Sequence, residues 1–242
     1  MKIGVYYIAT GKYKNMFKDF LNSLTNFFPS DEKVVKLISD GLEQYDGYKL
    51  HNIYVELCPR INHYPWPIIT LYKHYHILEN FDESCDYICY INGNGVICKN
   101  NPEEWFNPKK ITVSYHSFGE NYNVWGSINI NKYSTAYLEN NTYDYIQGGF
   151  FIGPTNLVKY MCHDIVNMLH EDMSRHLFAQ WHDESYINKW CEDNYQHVNK
   201  KSIMTVYKDK INSSTFIFLT DKNKYFTVQN KFSLNEISEN PI

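Results

Sequence analysis

No stretch of this chain reaches the roughly 18 to 20 consecutive apolar residues that a membrane-spanning helix needs. Met1-Lys2-Ile3 runs straight into a strand-like pattern, without the basic and apolar regions of a secretory signal. The expectation is therefore a soluble, cytoplasmic protein with no membrane anchor. The six cysteines, at 58, 85, 89, 98, 162 and 191, form no Cys-x-x-Cys pair and no regular spacing. That argues against a disulfide framework and a structural zinc site, and leaves them as small buried residues. An excess of positive charge is missing too: 23 Lys plus Arg stand against 27 Asp plus Glu. Nothing thus points to a general binder of nucleic acid or of a membrane surface. Internal repeats and interdomain linkers are absent, and the 242 residues fit one domain with a substantial core. The polar tail from about Asp221 is expected to be mobile. No feature sets the oligomeric state.

What the chain does have is aromatic side chains, 17% of the total with 22 tyrosines. They serve core packing, and they also supply the stacking faces and hydroxyls of sugar and base sites. Lys2 to Ala9 reads as a buried strand ended by Gly11, and Phe17, Phe20, Leu21, Leu24 and Phe27 mark an amphipathic helix that Pro29 stops. Further strands are expected at Val34 to Ile38, His51 to Leu57, Asp86 to Ile91, Ile111 to His116 and Tyr143 to Gly153. Late strands near Ile203 to Tyr207 and Thr215 to Leu219 should close the core. Helices are expected over Ile68 to Phe81 and along the stripe Leu157, Val158, Met161, Ile165, Met168 and Leu169. Pro59 to Pro67 and Gly119 to Asn131 read as loops. This alternation predicts an α/β fold, an open and mainly parallel sheet flanked by helices, with ligands at the carboxyl ends of the strands.

The most informative segment is Trp181-His182-Asp183-Glu184-Ser185, which opens a helix-like stretch. Side chains one position apart on a helix diverge by about 100°, so Asp183 and Glu184 can hold separate jobs. One can orient a ligand while the other attacks or stabilises it. A plain helix start, with Asp183 as cap, Glu184 in the first turn and Trp181 in the core, is the structural alternative.

Trp181 to Ser185, followed by Ile187-Asn188-Lys189, resembles the hallmark segment of the retaining α-1,3-galactosyl and N-acetylgalactosaminyl transferases. That family holds the ABO blood-group enzymes and shorter bacterial and viral homologues. Other blocks agree in order: Ile8-Ala9-Thr10-Gly11-Lys12-Tyr13, Ser134-Thr135-Ala136-Tyr137-Leu138 and Gln147-Gly148-Gly149-Phe150-Phe151. The resemblance implies the type A glycosyltransferase fold over the whole chain. It implies a UDP-sugar donor and an oligosaccharide acceptor as substrates, and an α-1,3 product.

The family's functional residues carry over position by position. Ile8, Ala9, Thr10 and Tyr13 would hold the uridine; Gly11 stands where lysine is usual. Asn92-Gly93-Asn94 replaces the Asp-x-Asp that holds a divalent metal. Amides are poor sole ligands for Mg²⁺ or Mn²⁺, so Asn92 and Asn94 imply a metal-independent member with no cofactor. The diphosphate would then be met by Lys73 and by Lys222 and Lys224 in the tail. Gln147, Gly148 and Gly149 would select the donor sugar, Gln147 departing from the usual residues. His182 and Asp183 would approach that sugar, and Glu184 would lie below its anomeric carbon. His116, Ser127 and Trp181 would receive the acceptor, although Ser117-Phe118 departs from the expected Pro-Gly-Phe. Glu184 could attack covalently or stabilise an oxocarbenium-like ion. Two rival readings stay open: a transferase using UDP-glucose or UDP-N-acetylglucosamine, and an inactive carbohydrate-binding homologue.

Overall fold

The computed structural model describes residues 1–62, 67–98, 102–115, 129–139, 145–205 and 217–219. Strand β1 (Lys2–Ala9) is buried from Ile3 onward, as its apolar composition predicts. Alternation sorts its side chains onto two faces. Ile3, Val5, Tyr7 and Ala9 join one core with Phe17, Phe20, Leu21 and Leu24, while Tyr6 and Ile8 join the other with Leu71, Ile77, Met161 and Ile165. Each such apolar side chain taken out of water contributes about 1.5–3 kcal/mol before entropy is counted. The helix expected after β1 is α1 (Phe17–Ser23), tightened at both ends into 3-10 turns over Gly11–Met16 and Leu24–Asn26.

Next come β2 (Glu32–Ser39), the short β3 (Lys49–Leu50) and β4 (Ile53–Leu57). The helix expected over Ile68 to Phe81 is in two pieces, α2 (Ile68–Leu71) and α3 (Lys73–Glu79). It breaks at Tyr72, where ψ reaches 8° and the hydroxyl lies 3.2 Å from the sulfur of Met173. There follow β5 (Tyr87–Ile91), β6 (Gly95–Ile97), α4 (Pro102–Trp105), β7 (Ile111–Tyr115) and β8 (Ile146–Pro154). The apolar stripe forms α5 (Thr155–Ser174), and the acidic segment opens α6 (Asp183–Asp193). The described chain closes with β9 (Val198–Lys201), β10 (Met204–Thr205) and β11 (Ile217–Leu219).

Among the described residues the main sheet has eight strands in the order β3-β4-β2-β1-β5-β8-β7-β9. Strands β4, β2, β1 and β5 are mutually parallel, and β8 runs antiparallel to both β5 and β7. Helices α1 and α5 pack into cores on opposite faces, as an α/β sheet requires. The late strands β10 and β11 form a second, three-stranded sheet with β6, and Ile203 and Ile217 join the core that these strands were expected to close. Two smaller expectations are corrected. Cys98, just past β6, is exposed, whereas the other five cysteines are buried. Asn129, expected in a surface loop, is buried and bridges to Tyr137. The expected mobile tail lies outside the described residues.

The pairing of β7 with β8 is irregular. While β7 advances from Val113 to Tyr115, its partner on β8 jumps from Phe151 to Ile146. The extra residues make a bulge over Gln147–Gly149 on the side facing β7. It turns the Gly148 N–H and carbonyl to Glu184 and Lys73, while the Gly149 carbonyl still accepts from Asn92 N–H at 2.8 Å on the β5 side.

Candidate active site

Because β8 is antiparallel to its neighbours, its first residues lie at the same edge of the sheet as the carboxyl ends of β1, β5 and β7. The amino end of α6 meets that edge, brought there by contacts deep in the core. Trp190 Nε1 donates to Asp164 on α5 at 3.0 Å. Asp172, wholly buried on α5, accepts from Tyr186 Oη at 3.0 Å and from Ser134 Oγ at 2.5 Å, fixing α6 and the Ser134–Leu138 block to one carboxylate. Asn188 clasps Ile146 with both ends of its amide, accepting from the backbone N–H at 2.8 Å and donating to the carbonyl at 2.9 Å.

These anchors set the two acids against the bulge. Asp183 Oδ2 lies 2.6 Å from Lys73 Nζ, and both side chains are almost fully buried. Lys73 Nζ also donates to the Gly148 carbonyl at 2.5 Å and lies 4.5 Å from the centre of the Tyr90 ring. Glu184 takes the other side of the same residue, with Oε1 accepting from Gly148 N–H at 2.9 Å. Its Oε2 accepts from Tyr145 Oη at 2.9 Å. A Cβ at position 148 would run into the Asp183 carboxylate and come within 2.8 Å of Glu184 Cγ. Only glycine fits between the acids.

The electrostatics follow from burial. Loss of water and the neighbouring Asp183 charge push the Glu184 carboxyl up to about 7, against the opposing pull of its Gly148, Tyr145 and Lys73 contacts. With Asp183 matched by Lys73, an ionised Glu184 leaves one uncompensated negative charge facing the bulge. Burial also keeps His182 neutral at lower pH than usual, with Asp183 opposing. His182 has φ 51° and ψ −125°, a conformation that side chains rarely adopt and that costs on the order of 1–3 kcal/mol. It occupies the cap position of α6 without a side-chain cap bond. Asp183 is therefore not the cap; its carboxylate is committed to Lys73.

From Lys73 the strip of polar groups continues across Tyr90 to the Asn-Gly-Asn turn. Tyr90 Oη lies 3.4 Å from Asn92 Oδ1, and Asn92 Nδ2 donates to Asn94 Oδ1 at 2.8 Å. The turn rests on the end of β1: a Cβ at Gly93 would lie 3.3 Å from the Ile8 carbonyl and 3.7 Å from the Tyr13 ring. Ile8, Ala9, Thr10 and Tyr13 thus meet Asn92 and Asn94 at one edge. Asp40, at the end of β2, holds the turn after β1 by accepting from Gly11 N–H at 3.1 Å and from Lys14 at 3.0 Å. Among the described residues no group of three His, Cys, Asp or Glu side chains is disposed to hold a metal ion.

The structure therefore gathers Ile8, Tyr13, Lys73, Asn92, Asn94, Gln147, Gly148, Gly149, His182, Asp183 and Glu184 along one edge, with the half-buried Trp181 beside them. Gln147 is buried, its Nε2 3.4 Å from the Tyr115 carbonyl. His116, Ser127, Lys222 and Lys224 lie outside the described residues. Sequence reasoning missed Tyr145, Tyr90 and Asp40. Asn188 carried a signal, since four residues separate it from Glu184 on the helix; Tyr145 carried none among so many tyrosines.

No family model matches the chain. It is similar to an O-antigen biosynthesis glycosyltransferase, WbnI, of Escherichia coli, with 28% identity over 210 residues, 85% of this chain and 86% of that protein. A likeness of that extent supports sugar transfer as the class of chemistry. The eight-stranded sheet with its flanking helices is a type A glycosyltransferase-like fold.

Proposed function

We propose that this protein is a retaining, metal-independent glycosyltransferase that moves galactose or N-acetylgalactosamine from UDP to an oligosaccharide hydroxyl, forming an α-1,3 link. The observation that carries the reading is the grip of Asp183, Lys73 and Glu184 around Gly148 at the ligand-binding edge of the sheet. Two sequence-adjacent acids have been given separate partners. One is neutralised, and the other keeps a charge that can answer positive character at an anomeric carbon.

In this reading the uridine lies over Ile8 to Tyr13 and the diphosphate runs past Asn92 and Asn94 toward Gly148. Metal independence rests on the chemistry of Asn92 and Asn94, whose neutral amides bring no carboxylate charge to the turn. Lys222 and Lys224 would supply the cations at the diphosphate. Lys73, with its two hydrogen bonds and ring contact, would contribute its field while it fixes Asp183. Gln147 and Gly149 would select the sugar; His182 and Asp183 would bind its hydroxyls. As the bond to the diphosphate breaks, Glu184 either forms a glycosyl ester or shields that face as a carboxylate. The acceptor, held by His116, Ser127 and Trp181, then bonds to the anomeric carbon and passes its hydroxyl proton to the departed diphosphate oxygen, the ester to Glu184 breaking as that bond forms where one was made.

The test is saturation-transfer NMR against UDP-galactose, UDP-N-acetylgalactosamine, UDP-glucose and UDP-N-acetylglucosamine, then linkage analysis of the product. Binding and turnover of the first two with an α-1,3 product supports the proposal. Turnover of only the glucose-type donors overturns the donor assignment. Binding of a sugar without turnover, or even hydrolysis, of any donor indicates the inactive homologue.

A further inference from the structure

We infer that Tyr145 is a positioning residue for Glu184, setting both the direction and the charge state of that carboxylate. The inference rests on the proposed role of Glu184, and its grounds are geometric. Tyr145 is buried, immediately precedes β8, and places its hydroxyl 2.9 Å from Glu184 Oε2. The other oxygen is held by Gly148 N–H at 2.9 Å. A carboxylate with one donor on each oxygen cannot rotate about its last torsion without breaking a bond. The two donors come from either side of the start of β8, so the plane of the carboxylate is referenced to that strand.

The phenol does a second thing. A hydrogen bond donated to a carboxylate favours its ionised form. The groups facing Glu184 are Asp183 on its own helix, Lys73 from α3, and Tyr145 and Gly148 from the start of β8. Asp183 and burial oppose ionisation, and Lys73 is already shared with Asp183. Tyr145 is thus the one neutral side chain among these that favours the charged state, and a phenylalanine there would keep the ring and lose that effect. Tyr145 itself holds its proton firmly, since burial and the Glu184 charge both raise its pKa. It is suited to donate and not to act as a base.

The experiment compares wild type with Tyr145→Phe, folded content being checked by circular dichroism. Two readouts are taken. The ionisation midpoint of Glu184 is followed by carboxyl ¹³C NMR, which needs no turnover, with Glu184→Gln identifying the resonance. Donor turnover is followed against pH. The midpoint should rise by about one unit on losing a charge-assisted bond. kcat should fall on the order of tenfold or more at neutral pH, with donor KM within about twofold. Incorporation of 3-fluorotyrosine at 145, a stronger donor of nearly the same shape, should move the midpoint down and keeps the test open if the phenylalanine variant is poorly folded. An unchanged Glu184 midpoint in the folded variants overturns the inference whatever the activity. Wild type that turns over no UDP-sugar overturns the function instead, while a shifted midpoint would still stand for the tyrosine.

Discussion

Lys73 and Glu184 hold the same residue from two sides: the ammonium is bonded to the carbonyl of Gly148 and the carboxylate to its N–H. Neither bond can be optimised without reference to the other, because one short residue sets both. Replacing Gly148 with alanine should therefore displace both acids at once. The expected result is a fall in turnover of roughly 10²-fold, the scale for misplacing catalytic groups, with about 1–3 kcal/mol of overpacking cost. Steady-state kinetics and urea unfolding measure the two. An alanine variant with wild-type kinetics would mean that the acids do not depend on this residue.

The raised Glu184 pKa gives a signed pH dependence. Its carboxyl moves from an ordinary 4.5 up to about 7 in the folded protein. That contribution to stability is fully present below 4.5 and is lost as pH rises through about 7. With Glu184 acting ionised, as proposed, turnover should rise as pH passes through about 7. Glu184→Gln should thus be more stable than wild type at pH about 8, by roughly 1–3 kcal/mol, while losing ~10²-fold or more in turnover. Thermal unfolding at pH about 5 and about 8 checks the sign; a variant that loses stability equally at both contradicts it.

Lys73 and Asp183 form an ion pair in a buried setting, where removing one member strands the other. Lys73→Met should cost roughly 3–5 kcal/mol, and the double variant with Asp183→Asn should recover part of it. Denaturant midpoints for the two single variants and the double variant give the coupling. Additive losses would show that the two charges do not depend on each other.

Turnover should survive excess EDTA and gain little from added Mn²⁺ or Mg²⁺, because Asn92 and Asn94 bring no carboxylate charge to the turn. Aspartate at both positions should lower metal-free activity by setting two like charges against the diphosphate. An enzyme that EDTA silences and Mn²⁺ restores would require ligands beyond these two amides.

Much of this arrangement was legible in the sequence, for reasons that differ by residue. β1 and α5 were readable because apolar periodicity reports burial directly. The divergence of Asp183 and Glu184 followed from helix geometry alone, and the structure gives them different partners. The fate of Lys73 was not readable. Its enclosure with Asp183 is a matter of how α3 meets α6 across the sheet edge, which no local pattern encodes. The small second sheet was equally hidden, since β10 and β11 are short and their partner β6 is distant in sequence. Strain at His182 left no trace either, because histidine gives no warning that its φ is 51°.

The bulge over Gln147–Gly149 makes this segment sensitive to length in a way that composition does not reveal. In a strand, the face that a side chain takes is a matter of odd or even count. The extra residues reset that count between Phe151, in the core, and Gly148, under the acids. Substitution at Gln147 changes one buried side chain, whereas deletion of one residue would exchange inside for outside along the start of β8. Variation here can therefore run through side-chain identity while chain length stays constant, so redesign of this segment should begin with point changes and leave the number of residues alone.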